Sequence, residues 1–492
     1  MCPHYPYLAI QSLIMRYLFP VLLLITSSFA LAAKQPNVIL VMADDMGYGQ
    51  TGYYNHPILK TPNLDAMAAN GIRFDRFYAG APNCSPTRAT VLTGRTNDRT
   101  GVYNHGYAIN KQEKTIAQAF KRAGYSTAHF GKWHLNGLRG PGAPIFKNDT
   151  HHPGHLGFDH WLSVTNFFDL NPILSRNGVW EEHGGDSSEI VVNEALDYIR
   201  GENERGKPVF IVIWYGTPHS PFMAFDSDAK QFSHLAKNSK NHYAELVAMD
   251  RSIGHLRKEL RDFGVAENTI LWFNSDNGGL PGIKPGTVGE LRGFKGSVYE
   301  GGLRVPCVVE WPGHIKPQVS KYPACTMDIF PTLIDYASLD KSSINDLTDG
   351  LSLANVINHD ISKRPKPIGF RHTGRAAWLD NNYKLVSLKV QTREYQLFDL
   401  DNDPKEQEDI LTKRPDLANQ MIQAFEAWNA SIEKSRQGAD YESGKVDPFT
   451  RPQQTMWTEL PEYQKFFDEW IKRPDFKPYI ERQLKLKVQK NN

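Results

Sequence analysis

Four short apolar runs constrain this chain more than any other feature. They are Asn37-Val-Ile-Leu-Val-Met42, Ser126 to Phe130, Val209-Phe-Ile-Val-Ile-Trp-Tyr215 and Thr269-Ile-Leu-Trp-Phe273. Their length and β-branched content are those of buried strands. Helix-like stretches separate them: Thr61 to Asn70, with Gly71 placed as a C-cap; Thr115 to Ala123, with Gly124; Ser188 to Gly201; and Tyr243 to Phe263. Strands alternating with helices predict an α/β fold with a large, mostly parallel central sheet flanked by helices.

After about residue 365 the pattern changes. Ala376-Ala-Trp378 and Tyr383 to Val390 flank Asp380-Asn-Asn382, which reads as a hairpin turn. Tyr395 to Leu400 reads as a further strand and Asp416 to Lys434 as a helix. These features predict a smaller C-terminal α+β unit with an antiparallel sheet, over 366–492, whose last stretch (440–492) wraps over the surface. A chain of 492 residues has room for both units.

The N-terminus carries its own signal. Arg16 precedes a largely apolar Tyr17–Leu31, and Ala30-Leu-Ala-Ala33 follows as a small-residue cleavage site. Residues 1–33 therefore read as a signal peptide, with Met15 a better start than Met1 and a mature end near Ala33 or Lys34. Leu18 to Ile25 is too short to span a bilayer. The expectation is an exported protein, periplasmic or secreted, with no stable membrane insertion after cleavage. A net charge of +2, with no basic stripe before the extreme C-terminus, argues against a nucleic-acid partner. Cys2 leaves with the signal; Cys84, Cys307 and Cys325 remain, the last two either bonded or simply buried.

Ligands of open α/β sheets sit beyond the carboxyl ends of the strands. Beyond these four runs come Asp44-Asp45, Lys132 with His134, His219, and Asp276-Asn277. Together they argue for one shared site. Asp44, Asp45, Asp276 and Asn277 are hard oxygen ligands, which suit Ca²⁺ or Mg²⁺ better than zinc. Cys84 opens Cys-Ser-Pro86-Thr-Arg88-Ala-Thr-Val-Leu-Thr93-Gly94. Pro86 fits a first helical turn and Gly94 ends the helix. Cys84 thus sits at a helix N-terminus, where the dipole favours negative charge, with Arg88 one turn on.

The segment Cys84-Ser-Pro86-Thr-Arg88 followed by Thr93-Gly94 resembles the signature of the type I sulfatases, within the alkaline-phosphatase-like superfamily. The resemblance covers roughly residues 34–400 and includes Pro36-Asn-Val-Ile-Leu with Asp44-Asp45, Gly131-Lys-Trp-His134, His219, Ser275-Asp-Asn-Gly278, Gly293-Phe-Lys295-Gly and Gly301-Gly-Leu-Arg-Val-Pro306. It implies a catalytic domain over 34–365 and hydrolysis of sulfate esters on a sulfated carbohydrate, a carrageenan-type galactan or a glycosaminoglycan sugar. It further implies conversion of Cys84 to formylglycine (3-oxoalanine) by a maturation enzyme, and Ca²⁺ held by Asp44, Asp45, Asp276, Asn277 and the modified Cys84. By the same resemblance Arg88 would hold the formylglycine hydrate, Lys132 and Lys295 would clamp the sulfate, His134 would deprotonate the nucleophile, and His219 would protonate the leaving alcohol.

His105, Arg371 and His372 are candidates for sugar contacts. Trp161, Phe167 and Phe168 would line a sugar subsite or sit in the core. His151, His152 and His155 read as a surface loop rather than a metal cluster. Two other functions fit the same residues less well: a phosphonate or phosphate ester hydrolase of the same superfamily, and a non-catalytic protein that binds sulfated glycans.

Overall fold

A computed structural model describes Met1 and residues 35–359 and 361–491. Apart from Met1, the expected signal peptide lies outside the described residues. No helix among them is long and apolar enough to cross a membrane.

The main sheet has ten strands. In chain order they are β1 (Asn37–Ala43), β2 (Ile72–Phe74), β3 (Ser126–Lys132), β4 (His160–Val164), β5 (Ile173–Arg176), β6 (Val179–Glu182), β7 (Val209–Trp214), β8 (Thr269–Ser275), β9 (Cys307–Glu310) and β10 (Gln318–Ser320). Their spatial order is β10-β2-β9-β8-β1-β7-β3-β4-β5-β6. The five central strands, β8-β1-β7-β3-β4, are parallel. They include all the apolar runs picked out in the sequence. Antiparallel pairings begin only outside them, at β9 and β5. The large, mostly parallel sheet is as expected.

Both faces of the sheet are buried, as parallel strands require. Along β1, Val38, Leu40 and Met42 enter one core while Ile39, Val41 and Ala43 enter the other. The first core is covered by α2 (Cys84–Thr93) and α3 (Ile116–Arg122), the second by α1 (Pro62–Asn70), α4 (Ser187–Glu204) and α5 (Lys237–Asp262). Gly71 does not act as a left-handed C-cap. Its backbone is extended, and a Cβ there would meet the Val309 carbonyl oxygen at 2.2 Å. Glycine is needed at this position so that the chain can pass close to β9.

The C-terminal sheet is antiparallel: β11 (Ile368–His372), β12 (Arg375–Asp380), β13 (Tyr383–Ser387) and β14 (Gln396–Asp399). Asp380 pairs with Tyr383 across a two-residue turn, and Asn381 takes φ +52° there. One face packs on α6 (Pro415–Arg436) through Trp378, Leu385, Met421 and Phe425. The other packs on the main body through Phe370, Ala377, Val386 and Phe398 against Tyr78, Val298 and Leu303.

That second contact also carries a buried charge. Lys384 of β13 lies 2.9 Å from Glu300 and 3.0 Å from Glu406, with all three side chains inaccessible to solvent or nearly so. One cation serves two carboxylates. Burial opposes the charge of Glu300, yet Lys384 and Arg304 outweigh it and hold that carboxyl low. Burial wins at Glu406 and pushes it up to about 7. Removing Lys384 would leave Glu406 without a cation and Glu300 with Arg304 alone, 3.8 Å away. Lys384→Met should cost about 3–5 kcal/mol of unfolding free energy in urea titrations; a loss below about 1 kcal/mol would mean that the cluster contributes nothing.

Candidate active site

The register of the central strands assembles the site. Ala43 of β1 pairs with Ser275 of β8, so the residues that follow, Asp44-Asp45 and Asp276-Asn277, leave the sheet side by side. The Asp45 N–H donates to Asp276 Oδ1 at 3.1 Å, and Asn277 Nδ2 donates to Asp45 Oδ1 at 2.7 Å. Asp45 has φ +72°, a conformation Asp tolerates better than most residues. Strand β3 runs two residues further than its apolar run, so Lys132 lies within the strand and is fully buried.

Three cations meet three carboxylates here. Lys132 Nζ lies 2.6 Å from Asp44, Arg88 Nη2 lies 2.7 Å from Asp276, and Lys295 Nζ lies 2.7 Å from Asp45. Only Lys295 reaches solvent, at 20% side-chain exposure. Arg88 also donates to the Lys132 carbonyl at 3.1 Å and lies 5.0 Å from the Trp214 ring at the end of β7. Burial raises the Asp276 carboxyl, and the neighbouring Asp44 adds to it against Arg88. At Asp45 burial acts the same way, but Lys295 and His219 outweigh it and hold the carboxyl low.

Cys84 is the first residue of α2, and Asn83 accepts a hydrogen bond from its N–H at 2.8 Å. Its side chain is buried, and burial pushes the thiol up despite Lys132 and Lys295. The helix N-terminus therefore does not make it a ready thiolate. Ligand atoms of Asp44, Cys84 and Asp276 all lie within 4.8 Å of one another. Asp44 Oδ1 and Asn277 Oδ1 are buried without a hydrogen-bond partner. Unpaired buried oxygens beside a crowded set of carboxylates fit a hard cation.

An open cleft of about 360 Å³ lies over Cys84, walled by His134, Phe167, His219 and Lys295 and rimmed by His105, Arg139, Asn166 and Tyr479. Both ring nitrogens of His134 are buried and unpartnered, and burial, then Lys132 and Arg88, push its pKa well down. His219 stacks on Phe167 with centroids 4.8 Å apart. Its Nδ1–H donates to the Ser220 carbonyl at 2.5 Å, which leaves Nε2 free, 3.7 Å from Asp45. Burial and the charge of Lys295 push its pKa well down too.

A family model described as Sulfatase matches residues 36–339. Rat N-acetylgalactosamine-6-sulfatase is 35% identical over 374 residues, 68% of each chain. The chain belongs to the sulfatase family. It is a sulfuric ester hydrolase. A second model, N-sulphoglucosamine sulphohydrolase, C-terminal, matches residues 289–429 of this sulfatase. Human arylsulfatase A is 31% identical over 68% of this chain and 70% of its own. The crystal structure of Ps i-CgsB has a TM-score of 0.73 at 26% identity, covering 88% of this chain and 97% of that one.

The structure of this sulfatase brings Asp44, Asp45, Cys84, Arg88, Lys132, His134, His219, Asp276, Asn277 and Lys295 together. His105 reaches the rim. Arg371 does not line the cleft: its guanidinium lies 3.1 Å from Asp98 and 2.7 Å from Glu433, where it ties β11 to α6. His372 is buried beside it and does not line the cleft either. Of the three aromatics considered for a subsite, Phe167 lines the cleft, while Phe168 is core and Trp161 is buried against His152. Among the described residues, His151, His152 and His155 form no convergent ligand set. Tyr479 escaped the sequence reading because it lies far in sequence from the strand-end motifs; Arg139 and Asn166 follow β3 and β4 by only a few residues, in stretches with no pattern that marks them.

Cys307 and Cys325 are free and belong to different packing clusters. Cys307 and Cys325 of the folded protein should therefore not react with a thiol reagent, and denaturant should expose both without a reductant. Thiols at these two positions that stay silent until reduced would indicate a bond between them.

Proposed function

We propose that this sulfatase removes sulfate from a sulfated carbohydrate after Cys84 has been converted to formylglycine by a maturation enzyme, with Ca²⁺ held by Asp44, Asp45, Asp276, Asn277 and the converted side chain. The observation that carries this reading is the convergence of Asp44, Cys84 and Asp276 within 4.8 Å, in a set whose three carboxylates are already matched by three cations. A dication added to that set leaves the site positive, which suits an anionic ester.

When bound, Ca²⁺ supplies Lewis acidity to a sulfate oxygen and to the nucleophile. The aldehyde hydrate supplies an attacking oxygen and a second hydroxyl through which sulfate is released. The remaining work falls to the chain's own groups. Lys132 and Lys295 hold their ammonium groups where charge develops on the sulfate oxygens. Arg88, locked between Asp276 and the Lys132 carbonyl, positions the first turn of α2 and with it residue 84. His134 has two unpaired nitrogens with which to orient the nucleophile and accept its proton. His219, its Nδ1 committed to Ser220, presents Nε2 toward the leaving oxygen.

A carbohydrate substrate is supported by two relatives. One is N-acetylgalactosamine-6-sulfatase; the other, Ps i-CgsB, is also solved in complex with k-i-k-neocarrahexaose, at 25% identity and a TM-score of 0.73 over 91% of this chain and 99% of that one. The leader-like N-terminus supports export to the periplasm or beyond.

Cys84→Ala should lower sulfate release by about 1,000-fold or more, the scale of losing a covalent nucleophile, with an unchanged unfolding midpoint. Mass spectrometry of the Cys84 peptide, from protein made with a maturation enzyme, should show loss of the sulfur; an intact thiol in fully active protein would refute the conversion. His219→Ala should cost about 100-fold or more on alkyl sulfates but far less on nitrophenyl sulfate, whose leaving group needs no proton. Equal losses on both would remove its role as proton donor.

A further inference from the structure

The floor and the rim of the cleft are built by different parts of the chain. The floor comes from the ends of the parallel strands and from α2. The rim depends on the last forty or so residues of the chain. Thr455–Met456 pairs as a parallel strand with Leu138–Arg139. Gln454 donates its backbone N–H to Gly106 and its side-chain amide to the His105 carbonyl, at 3.2 and 2.8 Å. At Gly140, φ +108°, a Cβ would lie 2.7 Å from Met456 Sδ and 3.0 Å from the Trp457 ring. The tail therefore sets the places of both Arg139 and His105.

The same tail places Tyr479. Trp457, Tyr463, Trp470, Phe476 and Ile480 form a buried cluster with Leu138 and Ala143. That cluster anchors the start of α7 (Lys477–Asn491). Phe476 and Ile480 point into it, and Tyr479, on the edge of that face, is half-buried and lines the cleft.

Neither rim group is used by the protein itself. Arg139 is exposed and has no carboxylate partner among the described residues, and the Tyr479 hydroxyl has no hydrogen-bond partner among them. Lys295 lines the same cleft, and His105 senses the charges of Lys295, Lys132 and Arg139. An unpaired guanidinium with an aromatic ring in the same cleft suits a sugar ring carrying an anion.

We infer that Arg139 and Tyr479 form a tail-built recognition site for a second anionic group, sulfate or carboxylate, and the pyranose ring that bears it, beside the sulfate being removed. This rests on the carbohydrate reading of the cleft. Arg139 binds the second anion, and Tyr479 packs on the sugar face. The reacting sulfate is left to the strand-end residues, so the rim acts on KM and substrate choice rather than on the chemical step.

The test uses the mature, full-length protein and four substrates: nitrophenyl sulfate, a singly sulfated disaccharide, the same disaccharide with a second sulfate, and one with a uronate in place of the second sulfate. Arg139→Gln should lower kcat/KM on the doubly anionic sugars about ten-fold through KM, the worth of one charge-assisted hydrogen bond, and erase the preference over the singly sulfated one. The sulfate and uronate arms distinguish the two sources of the second charge. Tyr479→Ala should weaken all three sugars, while nitrophenyl sulfate stays within about two-fold for both variants. Equal losses on nitrophenyl sulfate and the sugars, or no loss on any sugar, would overturn the rim site. Parent protein that hydrolyses nitrophenyl sulfate but none of the sugars would instead overturn the carbohydrate reading, and the rim site with it.

Discussion

Three carboxylates and three cations meet at the carboxyl end of the sheet, all buried except Lys295, which reaches the cleft, and the rest of the site is arranged around that balance. Each charge alone would be expensive to bury by several kcal/mol. Together, Asp44 with Lys132, Asp45 with Lys295, and Asp276 with Arg88 are tolerated because every cation lies within 2.7 Å of its partner. The balance is neutral and incomplete. Asp44 Oδ1 and Asn277 Oδ1 still lack partners, and Asp276 is pushed toward protonation by burial and by Asp44. A site in that condition fits the cation proposed above, which would leave it positive toward an anion.

The balance depends on strand order. Asp44 and Asp276 are neighbours because β1 and β8 pair in parallel with Ala43 opposite Ser275. Lys132 comes from β3, with β7 between, and reaches Asp44 because β3 continues past its apolar stretch. Arg88 crosses above Trp214, the last residue of β7, to close the set. Any shift of register would separate these partners and leave ions buried alone. The continuous apolar character of the central strands thus supports the chemistry as well as the fold.

The rim obeys a different logic. It rests on an aromatic cluster around Trp457 and Trp470, which packs on the sheet's edge strands through Ile173 and Trp180, and on a two-residue strand pairing, rather than on the central parallel strands. Sequence change in the tail can reshape the rim without touching the ion set. Such a division separates the groups that shape the rim from those that form the floor.

The central strands were legible because parallel, doubly buried strands leave continuous apolar runs with a sharp polar end. The site residues at those ends were legible for the same reason: Asp44, Lys132, His219 and Asp276 follow or close their runs directly. The hairpin at Asn381 was legible through its turn residues. Gly71 does close its helix as expected, but it is held extended by a close backbone approach, which calls for glycine as a left-handed cap does. Arg371 was ambiguous because a charged residue near a domain junction looks alike in sequence whether it faces substrate or, as here, Asp98 and Glu433.

By itself the sequence determined the parallel core, the oxygen-rich residues at its strand ends and the position of Cys84 at a helix start, since each is encoded within a few adjacent residues. Only the tertiary structure decided that the Cys84 thiol is raised rather than activated, that Cys307 and Cys325 stay apart, and that Tyr479 and Arg139 meet at the cleft. Burial, net local charge and long-range contact are properties of the packed chain, and no local pattern of residues carries them.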